Sequence, residues 1–101
     1  MPVACTVIVS LTPLSGHYAD VMALLDQVVP EIRGGRGCLR YDVFEEASGR
    51  IVLIEVWESR EHWQAHFSWD PILVLKRELA SWVEMPVERR EMYERNPGGT
   101  P

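Results

Sequence analysis

Residues Val3 to Leu11 form a run rich in β-branched side chains with no Gly or Pro, which predicts a strand. Thr12-Pro13-Leu14-Ser15-Gly16 is a turn cluster. Val21, Leu24, Leu25 and Val28 then recur at i, i+3, i+4 and i+7, with Met22 and Val29 widening the stripe, so a helix is expected. Ser15 is its expected N-cap, and the helix is expected to pass Pro30 and stop at about Arg33, because Gly34-Gly35 is the stronger break. Cys38 to Glu45 alternates, with Leu39, Tyr41 and Val43 on one face, and Glu46 to Gly49 is a hairpin connection to a second apolar run, Arg50 to Trp57. Ser59 can cap a short helix over Arg60 to Phe67. Asp70-Pro71 opens another, with Asp70 as N-cap and an apolar stripe of Ile72, Leu75, Leu79, Trp82 and Val83. Val87 to Tyr93 reads as a final, polar strand.

The order is β-α-β-β-α-β with the second helix broken near Trp69. That is the ferredoxin-like α+β plan, an antiparallel sheet with helices on one face. At 101 residues there is room for one domain, taken as residues 1–95, and the Gly/Pro-rich residues 96–101 are expected to form a disordered tail. The run Arg50 to Trp57 carries a further inference. Ile51, Leu53, Glu55 and Trp57 share one face and Val52, Ile54 and Val56 the other, and both faces are mostly apolar. A sheet covered by helices on one side only should be polar on its far side. A second copy of the chain is the simplest cover, so a homodimer is expected.

The charge balance is 10 Lys+Arg against 15 Asp+Glu, a net charge of -5, which argues against a nucleic-acid partner because nothing would neutralise phosphates. Cys5 and Cys38 are too few for a disulfide framework and lack metal-ligand spacing, so both are read as reduced thiols of a cytoplasmic protein with no metal site. No run approaches the roughly 18 apolar residues of a membrane span, and Met1 to Ser10 lacks a basic signal-peptide start. Four Trp in so short a chain point to a core, an interface or a pocket wall.

The stretch IVLIEVWESREHWQAHFSWDP resembles the signature region of the antibiotic biosynthesis monooxygenase family, in which a strand ending Glu-x-Trp leads to a Ser-capped helix carrying a polar residue, often His. Gly37-Cys38-Leu39 is similar to the family's usual turn into its second strand. The resemblance covers roughly residues 3 to 93. It implies a dimeric α+β barrel and a cofactor-independent monooxygenase that oxidises a phenolic, anthrone-like or quinol-like substrate to a quinone with O2. The same fold also serves a small-molecule-binding domain without turnover, and non-oxidative isomerases or cyclases. Cofactor-free chemistry of this kind needs aromatic walls, a base or cation, and a cavity that excludes water.

The actinorhodin-type branch of the family uses an Asn and a Trp four apart on the third strand, an aromatic on the next helix and an Arg on the last helix. Carried over, the Trp is Trp57, the helix aromatic is Trp63, the Arg is Arg77, and the Asn position holds Leu53. The haem-degrading branch needs an axial His where this chain has Lys76, a protonated and poor ligand, and its haem-distorting Trp falls at His66, which argues against haem degradation.

The residues also carry plainer readings. His66 lies one helical turn after His62 and is taken as the inward member, either as a general base for a substrate oxygen or as a buried His satisfied by Glu55 or a carbonyl. His62 is read as solvated. Glu55, among Leu and Trp, needs a partner, with orientation of His66 as its expected role. Trp57 and Trp63 either line the cavity or fill the core, and Trp69 is a lid or interface residue. Arg77 points away from the apolar stripe by helical period, although the resemblance puts it in the site.

Overall fold

A computed structural model describes residues 3–95; the expected tail at 96–101 lies outside the described residues. Four strands, β1 (Cys5–Leu11), β2 (Cys38–Glu45), β3 (Ile51–Trp57) and β4 (Glu88–Tyr93), form one sheet in the order β2-β3-β1-β4. Every neighbouring pair is antiparallel. Helices α1 (Tyr18–Arg33), α2 (Arg60–His66) and α3 (Asp70–Leu79) complete the ferredoxin-like α+β fold.

The period-2 pattern of β1 and β3 decides how the layers meet. Cys5, Val7, Val9 and Leu11 face the helices, and in register with them so do Trp57, Glu55, Leu53 and Ile51. Helix α1 closes on this face through Val21, Leu24, Leu25, Val28, Val29 and Ile32. It continues past Pro30, as expected, and ends at Arg33, where the Gly34 N–H turns back to the Pro30 carbonyl. The opposite face of the sheet carries Ile8, Val52, Ile54 and Val56, all half-buried in the single chain, beside the exposed Phe44.

Several local expectations are corrected. The start of α1 is Tyr18, with His17 rather than Ser15 at the cap position, its Nδ1 2.9 Å from Asp20. Trp69, not Asp70, is the cap of α3, and Asp70 and Pro71 occupy its first turn. That helix stops at Leu79, short of Trp82 and Val83, because the loop after β1 captures the chain there. Leu14 N–H donates to the Trp82 carbonyl and Glu84 N–H to the Thr12 carbonyl, each at 2.8 Å. Leu39 does not share the face of Tyr41. A bulge between Cys38 and Arg40 breaks the alternation, and Leu39 turns outward while Tyr41 is buried. Ser59 does cap α2, accepting the His62 N–H at 3.2 Å.

Candidate active site

Between the inner sheet face and the split helices lies a cavity of about 350 Å³. Its floor is Val9, Leu11, Tyr41, Leu53 and Glu55 from β1, β2 and β3. Its walls are Trp63 and His66 from α2, Phe67 just after, and Ile72, Leu75, Lys76 and Leu79 from α3. Met85, Val87 and Arg89 line the side next to β4. The break between α2 and α3 makes this chamber possible. A continuous helix would carry the α3 stripe along one straight line, whereas the turn at Phe67-Ser68-Trp69 redirects it and leaves a gap above the sheet.

Two buried ionisable groups face each other in the chamber. Glu55 and His66 are each about 3% exposed, and Glu55 Oε1 lies 4.0 Å from His66 Nε2. That distance is too long for a hydrogen bond. His66 Nδ1–H donates to the Trp63 carbonyl, one turn back on the same helix. A carbonyl only accepts, so the proton of the neutral ring sits on Nδ1 and Nε2 keeps its lone pair. Burial lowers the His66 pKa from 6.5 and thereby favours that neutral ring; its hydrogen bond to Trp63 works the other way, and the charge of Arg89 lowers the pKa further. Burial likewise pushes the Glu55 carboxyl up to about 7, against the opposing effects of Trp57 and Arg89. Trp57 Nε1–H donates to Glu55 Oε1 at 3.0 Å, so the acid is held by the residue two positions along its own strand. Near neutral pH the chamber thus contains a neutral imidazole beside an acid whose proton is held more tightly than that of an ordinary carboxyl.

Trp57 lies behind the cavity rather than on its wall. It is fully buried, with its ring 4.4 Å from His66 and 5.8 Å from Trp69 between centroids. Trp69 also packs edge-on to His66 at 6.0 Å, so Trp57 and Trp69 together form the seat of the imidazole. That seat requires Gly35: a Cβ there would meet the Trp69 ring at 2.0 Å. The His62 ring similarly covers Gly37, and is half-buried there with Nδ1 2.7 Å from Ser59 Oγ, rather than solvated.

Of the residues singled out in the sequence, the structure brings Leu53, Glu55, Trp63 and His66 to the cavity and sets Trp57 and Trp69 behind it. Arg77 is elsewhere: it is exposed and pairs with Glu78 at 3.2 Å, in agreement with helical period. Three polar residues of the cavity were not singled out as site residues in the sequence. Tyr41 is buried next to Glu55 across β2 and β3, and alternation was the signal that could have found it. Lys76 and Arg89 reach the chamber from α3 and β4. Among the described residues, no three His, Cys, Asp or Glu side chains come together as a metal site, and no helix is long and apolar enough to cross a membrane.

The fold recurs in solved structures. Rv0793 from Mycobacterium tuberculosis shares 25% identity over 94% of this chain and 98% of its own, with a TM-score of 0.88. A putative antibiotic biosynthesis monooxygenase from Nitrosomonas europaea matches at 19% identity, covering 98% and 97%, with a TM-score of 0.88. SnoaB, a cofactor-independent oxygenase from Streptomyces nogalater, matches at 15% identity, covering 97% and 99%, with a TM-score of 0.80. A comparison with curated proteins finds no match. Residues 4–73, well over half of the sequence and including Glu55, Trp63 and His66, match the family model described as antibiotic biosynthesis monooxygenase, and the chain therefore belongs to the antibiotic biosynthesis monooxygenase family.

Proposed function

We propose that the cavity binds a phenolic, anthrone-like or quinol-like ring and oxidises it to a quinone with dioxygen, without a cofactor. The observation that carries this reading is the lone pair of His66 Nε2, fixed by the bond from Nδ1 to Trp63 and presented in a chamber largely walled by apolar side chains. Such a nitrogen can take the proton of a substrate hydroxyl or of an activated ring CH2. The resulting electron-rich anion passes one electron to dioxygen, and the radical pair combines to form a C–O bond and a peroxide. Loss of water from the peroxide leaves a carbonyl. One oxygen atom enters the ring, the other leaves as water with the two hydrogens taken from the substrate, and all four electrons come from the ring. Glu55 supports the cycle as a nearby proton source for the departing water, and Trp57 and Trp69 hold the imidazole in place. Family membership and the likeness in fold to a cofactor-independent oxygenase support a monooxygenase reaction in general.

The apolar strip of Ile8, Val52, Ile54 and Val56 on the outer face of the sheet supports a homodimer formed face to face. Covering Val52, Ile54, Val56 and Ile8 with a second copy would also stiffen the floor of the cavity, which is the other face of the same strands.

Oxygen uptake with an anthrone or a dihydroxynaphthalene, followed by mass analysis of the product, tests the reaction. His66→Ala is expected to lower turnover by about 10²–10⁴-fold while the circular-dichroism spectrum is retained. Wild-type rate should fall as pH drops through and below the ordinary imidazole value of about 6.5, as Nε2 is protonated. Full turnover by His66→Ala would remove the base from the mechanism. Ligand binding without oxygen uptake would mark a small-molecule-binding domain, and rearrangement or ring closure without oxygen uptake an isomerase or cyclase.

A further inference from the structure

Lys76 and Arg89 line the cavity, are both exposed, and make no ion pair among the described residues. They come from different elements, the last turn of α3 and the second position of β4, yet both line the same cavity where it is exposed to solvent. Both lie beyond residues 4–73, the span matched by the family model. Arg89 is braced rather than free: its guanidinium carbon sits 5.2 Å above the centre of the Phe67 ring, itself part of the cavity wall. Its charge reaches Tyr41, Glu55 and His66.

The electrostatic arrangement is one-sided. Of the groups facing the chamber, His66 is held neutral and Tyr41 keeps its proton, because burial disfavours their charged forms. Glu55 is the only interior group that takes a charge near neutrality, and it lies deep, at 3% exposure. The solvent-exposed part of the lining carries two cations that make no ion pair among the described residues. An amine would be repelled there, and a neutral ring would leave both cations as they are. An anion gains charge-assisted hydrogen bonds, with Arg89 able to grip a carboxylate by two parallel N–H donors. The volume, about 350 Å³, is at the small end of ligand pockets, which suits a compact ring system with one polar substituent directed to solvent.

We propose that the ligand of this cavity is a hydroxyaryl carboxylate, its ring between Leu53 and Trp63, its hydroxyl toward Tyr41 and His66, and its carboxylate held by the exposed lining residues Lys76 and Arg89. This deepens the oxygenase reading by naming the substrate class, and it rests on that reading only for what happens to the ligand after it binds.

Binding is measured apart from turnover. The probes are 6-hydroxy-2-naphthoate and its methyl ester, which keeps the ring and hydroxyl but removes the charge. Each is titrated calorimetrically at pH 8 into the wild type, Arg89→Met and the double variant Lys76→Met/Arg89→Met. The acid is expected to bind the wild type at least about tenfold more tightly than the ester, with an affinity that falls as salt is raised. The preference should shrink in the single variant and vanish in the double one, while ester affinity stays the same. Both positions are exposed, so the variants should fold, and their spectra verify it. Equal or tighter binding of the ester by the wild type, a preference that survives in the double variant, or no binding of either probe at 1 mM overturns the proposal. Acid-selective binding without oxygen uptake from any phenol refutes the oxygenase reading and leaves this one standing. Oxygen uptake confined to uncharged phenols does the reverse.

Discussion

Glu55→Gln replaces a buried acid with an amide of nearly the same shape, which can still accept the Trp57 Nε1–H bond through its oxygen. The effect on stability depends on pH, and its sign follows from the direction of the Glu55 shift. Burial raises the carboxyl from 4.5 to about 7. Between those values the folded chain keeps the proton while the unfolded chain releases it, so wild-type stability falls as pH rises through this window. The contribution is fully present below about pH 4.5 and lost above about pH 7. The gap of about 2.5 units, at about 1.4 kcal/mol per unit, amounts to about 3 kcal/mol. With 3% of the residue exposed, solvent screening does little to reduce that figure. His66 acts in the opposite sense: its lowered pKa makes the fold lose stability as pH falls through and below 6.5. The variant retains His66, so subtracting one protein from the other isolates Glu55. Urea denaturation of both at pH 4.5 and pH 8, at one protein concentration, should show the variant gaining about 3 kcal/mol on the wild type across the interval. A difference between the two proteins that does not change with pH would mean that Glu55 titrates as an ordinary surface carboxylate. The proton source beside His66 would then be lost.

Gly35→Ala should lower stability by about 1–3 kcal/mol in a thermal or urea melt, because its Cβ would overlap the Trp69 ring that backs His66; an unchanged melt would show that Trp69 is not held there. Ile54→Lys places a charge at the centre of the apolar outer face, where Asp42 lies opposite it across β2 and β3 and can accept it in the free chain. Sedimentation at micromolar concentration should give a dimer for the wild type and a folded monomer for the variant, since taking the charged pair out of water into an interface costs several kcal/mol per ion. A monomeric wild type, or a dimeric variant, would contradict the face-to-face assembly.

Much of the fold was legible because strand and helix periods are local properties. The runs 5–11, 38–45 and 51–57 declare themselves by β-branched or alternating residues, and two glycines after Arg33 end α1 where the apolar stripe ends. The Glu-x-Trp strand end and the Ser59 cap likewise lie in adjacent residues, so the family resemblance and the inward turn of His66 were readable. The failures involve distant partners. Trp82 and Val83 keep a helical spacing, yet backbone bonds to Thr12 and Leu14, some seventy positions earlier in the chain, pull them out of α3. Leu39 keeps the alternation of its strand, yet a bulge turns it outward.

The site shows the same division. The sequence by itself determined that an acid and an imidazole would be buried among tryptophans, because Glu55 and Trp57 share a strand face and His66 follows Trp63 by one turn. Only the tertiary structure decided which imidazole nitrogen is free, that Trp57 and Trp69 stand behind the cavity rather than on its wall, and that Lys76 and Arg89 both line it while Arg77 pairs with Glu78 in solvent. Those outcomes depend on where α2, α3 and β4 come to rest against one another. That packing is set by the volumes of many side chains at once, and no spacing within a single segment encodes it.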